Sequence, residues 1–115
     1  MMVRLYTGDD GESHFEEITP HFTPDHGILR APLEGATGIT FSRHSPGYVM
    51  DWHNVPRRQY VIILAGHVEI EIGDGSVRRL GAGDVLLAED LKGRGHITRV
   101  VGDQPRFSAT IPLAP

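Results

Sequence analysis

The regular occurrence of turn residues constrains the fold of this chain more than any other feature. No window keeps the apolar spacing of an amphipathic helix for three turns, and short apolar runs end instead at Gly, Pro or Asp. The 115 residues include 14 Gly and 8 Pro, which favours many tight turns. About nine or ten short strands, with turns roughly every 8–12 residues, are typical of a closed β-sandwich or barrel.

The apolar runs between these turns predict the individual strands. Residues 59–64 are apolar on both faces after a polar start, which is typical of an inner strand covered on both sides. Residues 67–72 alternate between apolar and polar side chains, which predicts a strand with one solvated face. Residues 19–32 carry three prolines and are predicted to form an irregular arm. The predicted strands are 3–6, 14–18, 37–44, 48–53, 59–64, 67–72, 77–80, 84–88, 96–101 and 106–113.

The length of the chain sets its domain organisation. A chain of 115 residues corresponds to one domain, which buries about two thirds of the surface that its unfolded chain exposes. Residues 1–36 are expected to supply N-terminal strands and the irregular arm, and residues 37–113 the core of an all-β barrel. The chain has no cysteine, which excludes disulfides, thiolate metal ligands and Cys nucleophiles.

Charge and hydropathy exclude two classes of partner. The formal net charge is −4, and the basic residues are scattered, so the chain lacks the footprint of a nucleic-acid-binding protein. No apolar stretch approaches the ~18 residues of a membrane span, and the first residues do not resemble a signal peptide. We therefore expect a cytoplasmic protein without nucleic-acid or membrane partners.

Two histidines and an amide are predicted to meet on neighbouring strands. His53 ends one predicted strand, Gln59 begins the next, and His96 begins a later one. Because residues i and i+2 of a strand share a face, Gln59 lies inside if Val61 does, and it then lies beside His53. This convergence predicts a cavity that holds a metal or a small polar ligand.

The spacing of these residues resembles that of the cupins. The first cupin motif places Gly, His-x-His, Glu and Gly at fixed intervals, and the second runs from a Gly-Asp turn to a strand and a His. The matching positions here are Gly47, His53, Gln59 and Gly66 for the first motif, and Gly83, Asp84 and His96 for the second. Val55 stands where the second His belongs, and Gln59 replaces the Glu. The resemblance implies a single-domain jelly-roll β-barrel.

The resemblance also implies a divalent metal, which would be Zn, Fe, Mn or Ni. First-row divalent metals bind imidazole nitrogen and carboxylate oxygen, whereas Gln59 offers only a neutral carbonyl oxygen. The predicted ligands are therefore His53, Gln59 and His96, and the expected affinity is weak. Asp51, Glu89 and Asp90 remain alternatives for a fourth ligand.

Other polar residues are predicted to serve the same cavity. Glu89 and Asp90 precede His96 in one loop, and two acids beside a histidine suit general acid–base catalysis. Asp51 shares the face of His53 by strand alternation, and His44 faces inward if Ser42 does. With Arg57, which would hold an anionic group, Asp51 and His44 are the predicted substrate-binding residues.

Three functions are compatible with this site. The first is a metal-assisted enzyme, such as an isomerase, lyase or dioxygenase, that acts on a small polar or anionic substrate. The second is a metal-free enzyme of the epimerase kind, with His53 or His96 as the base and Arg57 holding the substrate. The third is a non-catalytic barrel that binds or senses a small ligand.

The outer face of the predicted strand 59–64 suggests a homodimer. Tyr60, Ile62 and Leu64 would leave an apolar surface that a chain of this length has little material to cover. The N-terminal segment could cover the same surface within one chain, and this alternative remains open.

Overall fold

The computed structural model describes all 115 residues and contains β-strands but no helix. Accordingly, it has no helix long and apolar enough to cross a membrane. The twelve strands are β1 (Met2–Thr7), β2 (Ser13–Glu17), β3 (Thr23–Asp25), β4 (Ile28–Arg30), β5 (Thr40–His44), β6 (Val49–His53), β7 (Gln59–Ala65), β8 (His67–Glu71), β9 (Val77–Gly81), β10 (Val85–Glu89), β11 (His96–Val101) and β12 (Arg106–Pro112). The all-β prediction is confirmed.

Two sheets enclose the core. The larger has six strands in the order β2-β1-β10-β7-β12-β5, and the smaller has four in the order β6-β11-β8-β9. Every pairing is antiparallel except that of β1 with β10. Buried side chains from both sheets join in one hydrophobic cluster, to which β7 contributes Val61 and Ile63, and β8 contributes Val68 and Ile70. The cluster therefore fixes the distance between the two sheets.

The predicted inner faces of two central strands are confirmed, whereas the outer face of β7 is covered only in part. In β7, Val61 and Ile63 are 6 % and 1 % exposed, so the strand turns these residues toward the core. In β8, Val68 is buried while His67 is exposed, as the alternation of the sequence predicts. Since Gln59 lies two residues before Val61, the same alternation turns it toward the inside of the molecule.

The arm is more regular than predicted. Residues 19–32 contain the hairpin β3–β4, which forms a two-stranded sheet of its own. His26 and Gly27 at its tip have φ of 51° and 84°, and two consecutive positive φ values are the geometry of a type I′ turn. The prolines concealed this hairpin, because a proline within an apolar run counts against a strand. The prediction of an irregular arm was therefore wrong for the six residues that form β3 and β4.

Part of the N-terminal segment lies on the outer face of β7. Ile18, Pro20 and Pro32 line a groove together with Tyr60 and Ile62. The Tyr60 hydroxyl also donates a hydrogen bond to Glu34. Burial and this bond raise the pKa of Tyr60 to about 12. The chain thus covers part of its own apolar face, whereas Leu64 remains 42 % exposed.

Candidate functional site

The ends of β6 and β11 bring the two motif histidines together. His96 pairs with His53 across these strands, and the centroids of the two rings are 4.3 Å apart. Gln59, at the start of β7, lines the same cavity, which has a volume of about 260 Å³. Pockets for drug-sized ligands measure ~300–1,000 Å³, so this cavity suits a smaller molecule.

A bulge in β6 changes which residues reach the cavity. His96 pairs with His53 but Thr98 pairs with Met50, so β6 carries one extra residue between these positions. Met50 and His53 consequently both line the cavity. The side chain of Asp51 points outward, and its carboxylate accepts a hydrogen bond from the backbone N–H of Trp52. The prediction that Asp51 shares the face of His53 needs correction, because strand alternation fails at a bulge.

His96 is held by a buried carboxylate. The Asp90 Oδ2 atom lies 2.6 Å from Nδ1 of His96 and accepts a second hydrogen bond from the Ser13 hydroxyl at 2.8 Å. Asp90, Ser13 and His96 are 0 %, 2 % and 3 % exposed. Asp90 therefore lies behind His96 rather than at the cavity mouth, and its contact with the cavity is made through the imidazole.

Both imidazoles are oriented by their Nδ1 atoms. His53 donates from Nδ1 to the backbone carbonyl of Asp51 at 2.7 Å, and His96 donates from Nδ1 to Asp90. Neither Nε2 atom has a partner within the protein, and both residues line the cavity. Burial lowers the pKa of His53, as does the neighbouring His96, while the hydrogen bond to Asp51 opposes this effect. His53 is therefore neutral near pH 7 and presents a lone pair to the cavity.

Close backbone contacts fix the loop that carries Asp90. Gly95 has a φ of 81°, and a Cβ atom there would collide with the carbonyl oxygen of His53. The Asn54 side-chain amide donates to the carbonyls of Asp90 and Lys92 at 3.3 and 2.8 Å. These contacts join the loop to the end of β6, so they set the positions of both histidines at once.

The opposite side of the cavity carries a buried guanidinium. Arg106, at the start of β12, is 9 % exposed and lines the cavity, and its Nε atom has no hydrogen-bond partner. It pairs in register with His44 of β5. His44 also lines the cavity and its Nδ1 atom is likewise unpartnered. Burial lowers the pKa of His44, with a further contribution from the charge of Arg106.

Two predicted site residues lie elsewhere. Glu89 points away from the cavity and is paired with Arg4 and, at 2.7 Å, with Arg58. Burial alone would raise the pKa of Glu89, but the two arginines outweigh it and lower the pKa. Arg57 lies exposed in the bend before β7 and does not line the cavity. The predicted placement of Glu89 and Arg57 at the cavity needs correction. Glu89 follows the cavity-lining Ala88 on β10 and so faces the other way, and Arg57 lies in a bend to which the alternation of β7 does not extend.

Sequence analysis did not identify Ser13, Asn54 or Arg106. The alternation of β12 could have identified Arg106, because Arg106 and Thr110 share the cavity side of that strand while Phe107 and Ile111 occupy the other. Ser13 could not be found in this way, since its partner Asp90 is distant in sequence.

The residues present do not fit a metal site with three strong protein ligands. No group of three or more His, Cys, Asp or Glu residues is arranged to hold a metal ion. Val55 is buried at the position of the missing histidine and offers no donor, and Gln59 offers a neutral oxygen. His53 and His96 remain as two imidazole donors.

Comparison with known proteins identifies the fold. No protein-family model matches the chain, and a search of curated proteins finds no match. An uncharacterized conserved protein with a double-stranded β-helix domain from Klebsiella pneumoniae is 25 % identical, with a TM-score of 0.54 over 79 % of this chain and 81 % of that one.

Two further structures carry the cupin name. A cupin domain from Bordetella pertussis is 20 % identical, with a TM-score of 0.54, 87 % of this chain and 100 % of that chain being covered. A cupin 2 conserved barrel domain protein from Salinispora arenicola is 19 % identical, with a TM-score of 0.51 over 86 % of this chain and 89 % of that chain. The fold of this chain is therefore that of the cupins, as its two motifs predict.

Proposed function

We propose that this chain, which has the cupin fold, is an enzyme that moves a proton on a small substrate by using the His96 imidazole as a general base. The observation that supports this most is the buried hydrogen bond from His96 Nδ1 to Asp90. It corresponds to the metal-free alternative among the three functions compatible with the sequence.

The hydrogen bond determines which nitrogen reacts. With Nδ1–H donated to Asp90, the lone pair of His96 lies on Nε2, and that atom faces the cavity. Nε2 accepts a proton from a substrate carbon and returns it either to a neighbouring substrate atom, which is an isomerisation, or to the opposite face of the same carbon, which is an epimerisation. The Asp90 carboxylate stabilises the imidazolium that exists between the two transfers.

His53 supplies a second polar contact in the same place. Its ring lies 4.3 Å from that of His96, and its neutral Nε2 can accept a hydrogen bond from a substrate hydroxyl. Buried apolar side chains, among them Val61, Ile63 and Leu86, line other parts of the cavity. Exclusion of water by such a lining strengthens electrostatic interactions at the histidines.

Exchange of substrate protons with D₂O tests this proposal. A panel of small hydroxy acids and keto acids is incubated with the protein in D₂O, and loss of carbon-bound ¹H is followed by NMR. We expect catalysed exchange of at least one member and a decrease of about 10²–10⁴-fold in His96→Gln, the range that a general base contributes. Asp90→Asn is expected to slow exchange too, because it loses the acceptor that orients the ring.

The control is His21→Gln, which removes an exposed histidine of the arm and should leave the exchange rate unchanged. Equal exchange by the unaltered protein and by His96→Gln would refute the proposal. Ligand binding without exchange would instead favour a non-catalytic binding module.

Metal-assisted chemistry is a second candidate, favoured by one observation. The two unpartnered Nε2 atoms belong to adjacent rings whose Nδ1 atoms are both hydrogen-bonded, an arrangement typical of metal-ligating histidines. With Gln59 as the only further ligand, the expected affinity is weak. Equilibrium dialysis against Zn²⁺ or Mn²⁺ of protein without a polyhistidine tag tests this candidate.

A further inference from the structure

Arg106 is exceptional among the arginines of this chain. Arg4, Arg58 and Arg99 each form an ion pair with a glutamate near the surface. Arg106 is more buried than any of them, yet no carboxylate pairs with it and its Nε atom has no acceptor. Burial is the cause that lowers the pKa of Arg106, although a guanidinium stays charged.

A buried cation without a counter-ion is costly, which suggests that an acceptor is supplied from outside the chain. Arg106 lines the same cavity as His96, so an anion that enters this cavity can reach it. A guanidinium presents a planar fork of donors that matches the two oxygens of a carboxylate.

We infer that Arg106 is the anchor for the carboxylate of a small monoanionic ligand, and that His44 lies beside that carboxylate. The inference rests on the proposed function in that it places the ligand in the same cavity. It extends the proposal by assigning the chemical class of the ligand and the side of the cavity that recognises it.

The charges around the cavity favour a monoanion over a phosphate. Arg106 is the only arginine or lysine in the cavity lining. Burial lowers the pKa of His44, so this neighbour of Arg106 does not add a positive charge near pH 7. The chain has no helix whose N-terminus could hold a phosphate. One positive charge balances one carboxylate, and Asp90 behind His96 disfavours further negative charge.

The arrangement also orients the ligand. Arg106 and His44 lie on β12 and β5 of the larger sheet, whereas His53 and His96 lie on β6 and β11 of the smaller one. A carboxylate held by Arg106 thus leaves the rest of a small molecule directed toward the two imidazoles. Small 2-hydroxy acids and 2-keto acids have this form, with a carboxylate adjacent to a polar carbon.

Binding measurements with matched probes test the inference. Lactate and pyruvate are titrated by calorimetry and by NMR of the arginine Nε–H, with lactamide as the neutral analogue and inorganic phosphate as the dianion. We expect saturable binding of at least one monocarboxylate, a shift of the Arg106 Nε–H resonance, and no comparable binding of lactamide or phosphate.

Variants separate recognition from folding. Arg106→Met should weaken carboxylate binding by about 10- to 100-fold, as loss of a charged hydrogen-bonding partner does. In the absence of ligand, the Arg106→Met protein should have a higher melting temperature than the unaltered protein, because the substitution removes an unpaired buried charge. Arg106→Lys keeps the positive charge but loses the planar pair of guanidinium donors. This variant should bind carboxylates more weakly than the unaltered protein and more tightly than Arg106→Met. Arg79→Met, an exposed arginine, is the control and should alter neither property.

Three outcomes would overturn the inference: equal carboxylate binding by Arg106→Met, stronger binding of phosphate than of monocarboxylates, or no saturable binding of any monocarboxylate. Failure of the proposed function gives a different result. In that case the unaltered protein binds a carboxylate through Arg106, and His96→Gln binds it equally well, but neither catalyses proton exchange.

Discussion

The two imidazoles whose burial lowers their pKa make stability depend on pH. His44 and His53 hold protons less readily in the folded chain than in the unfolded one, and burial is the main cause for both. Below the ordinary histidine pKa of ~6.5, the unfolded state binds more protons, so stability falls as the pH falls. Above this range both states are neutral at these positions and the contribution disappears.

We therefore expect the urea midpoint to decrease between pH 7.5 and pH 5. His44→Gln and His53→Gln should each make that decrease smaller, because each removes one group that titrates differently in the two states. His21→Gln is the control, since His21 lies exposed in the arm. A midpoint with the same pH dependence in both variants and in the unaltered protein would contradict this account.

The residues at positions 55 and 59 should also determine how tightly the cavity binds a divalent metal. Val55 and Gln59 occupy the positions of the missing imidazole and carboxylate, and both line the cavity with His53. Val55→His with Gln59→Glu should tighten Zn²⁺ binding, because it supplies two of the ligands that such metals prefer and adds a negative charge. Equilibrium dialysis measures the affinity, and circular dichroism shows that the variant is folded.

The matched control carries His53→Ala in the same double variant and should lose the gained affinity. If the double variant retains no more metal than the unaltered protein, the side chains at positions 55 and 59 do not converge with the histidines. Tight pH-dependent binding by the unaltered protein would favour the metal-assisted candidate, since imidazoles must be neutral to bind metal.

Among the elements, the junction of β6 and β11 determines the geometry of the site. Gly95 and Gly75 have φ of 81° and 86°, so a side chain is strained at either position. A Cβ atom on Gly95 would also collide with backbone of β6, whereas one on Gly75 would meet nothing within 4 Å. Gly75→Ala should cost about 1 kcal/mol from strain alone, and Gly95→Ala about 3 kcal/mol or more.

Urea unfolding of the two variants measures this difference, and Gly75→Ala serves as the control. Gly95→Ala should also displace the NMR signals of His53 and His96, because the collision lies between their strands. Equal destabilisation by both substitutions would mean that there is room for a side chain at Gly95 and that its close approach to β6 does not determine the geometry of the junction.

The same junction shows how far sequence determines the site. The strands that carry His53, Gln59 and His96 could be predicted, because turn residues and apolar alternation are local properties. The bulge that turns Asp51 outward depends on how β6 pairs with β11, which local alternation does not specify. The ion pairs that hold Glu89 involve Arg4, 85 residues earlier, and likewise become visible only when the sheet is assembled.

At the scale of the whole molecule, the arm is the part least covered by the rest of the chain. The hairpin β3–β4 pairs with no other strand, and an isolated two-stranded hairpin is at best marginally stable in water. The radius of gyration of 14.5 Å exceeds the ~13 Å expected for a compact domain of this length. Large apolar side chains are exposed in the arm, namely Phe22, Ile28 and Leu29. Others are exposed after it, namely Leu33, Ile39 and, in β5, Phe41.

We expect a second copy of the chain to cover this surface. The predicted homodimer contact then moves from Tyr60, Ile62 and Leu64 to the arm. Leu29 and Leu33 are 65 % and 101 % exposed, and an exposed apolar patch of this kind marks an interaction site. Sedimentation at micromolar concentration should give the mass of a dimer. Leu29→Asp with Leu33→Asp should give a monomer, because buried charges without partners oppose association.

Val77→Asp is the matched control for the expected change from dimer to monomer. Val77 is 41 % exposed and lies on β9, in the other sheet, so a charge there should leave the dimer intact. Dissociation by Val77→Asp alone would place the contact on the smaller sheet. If the unaltered protein is a monomer, the N-terminal segment alone covers the apolar outer face of β7, by the packing of residues 18–34 against that strand.

The oligomeric state should not affect ligand binding. Because the cavity is lined entirely by residues of β5 to β12 and their connections, carboxylate binding should be the same in the monomeric variant and in the unaltered protein.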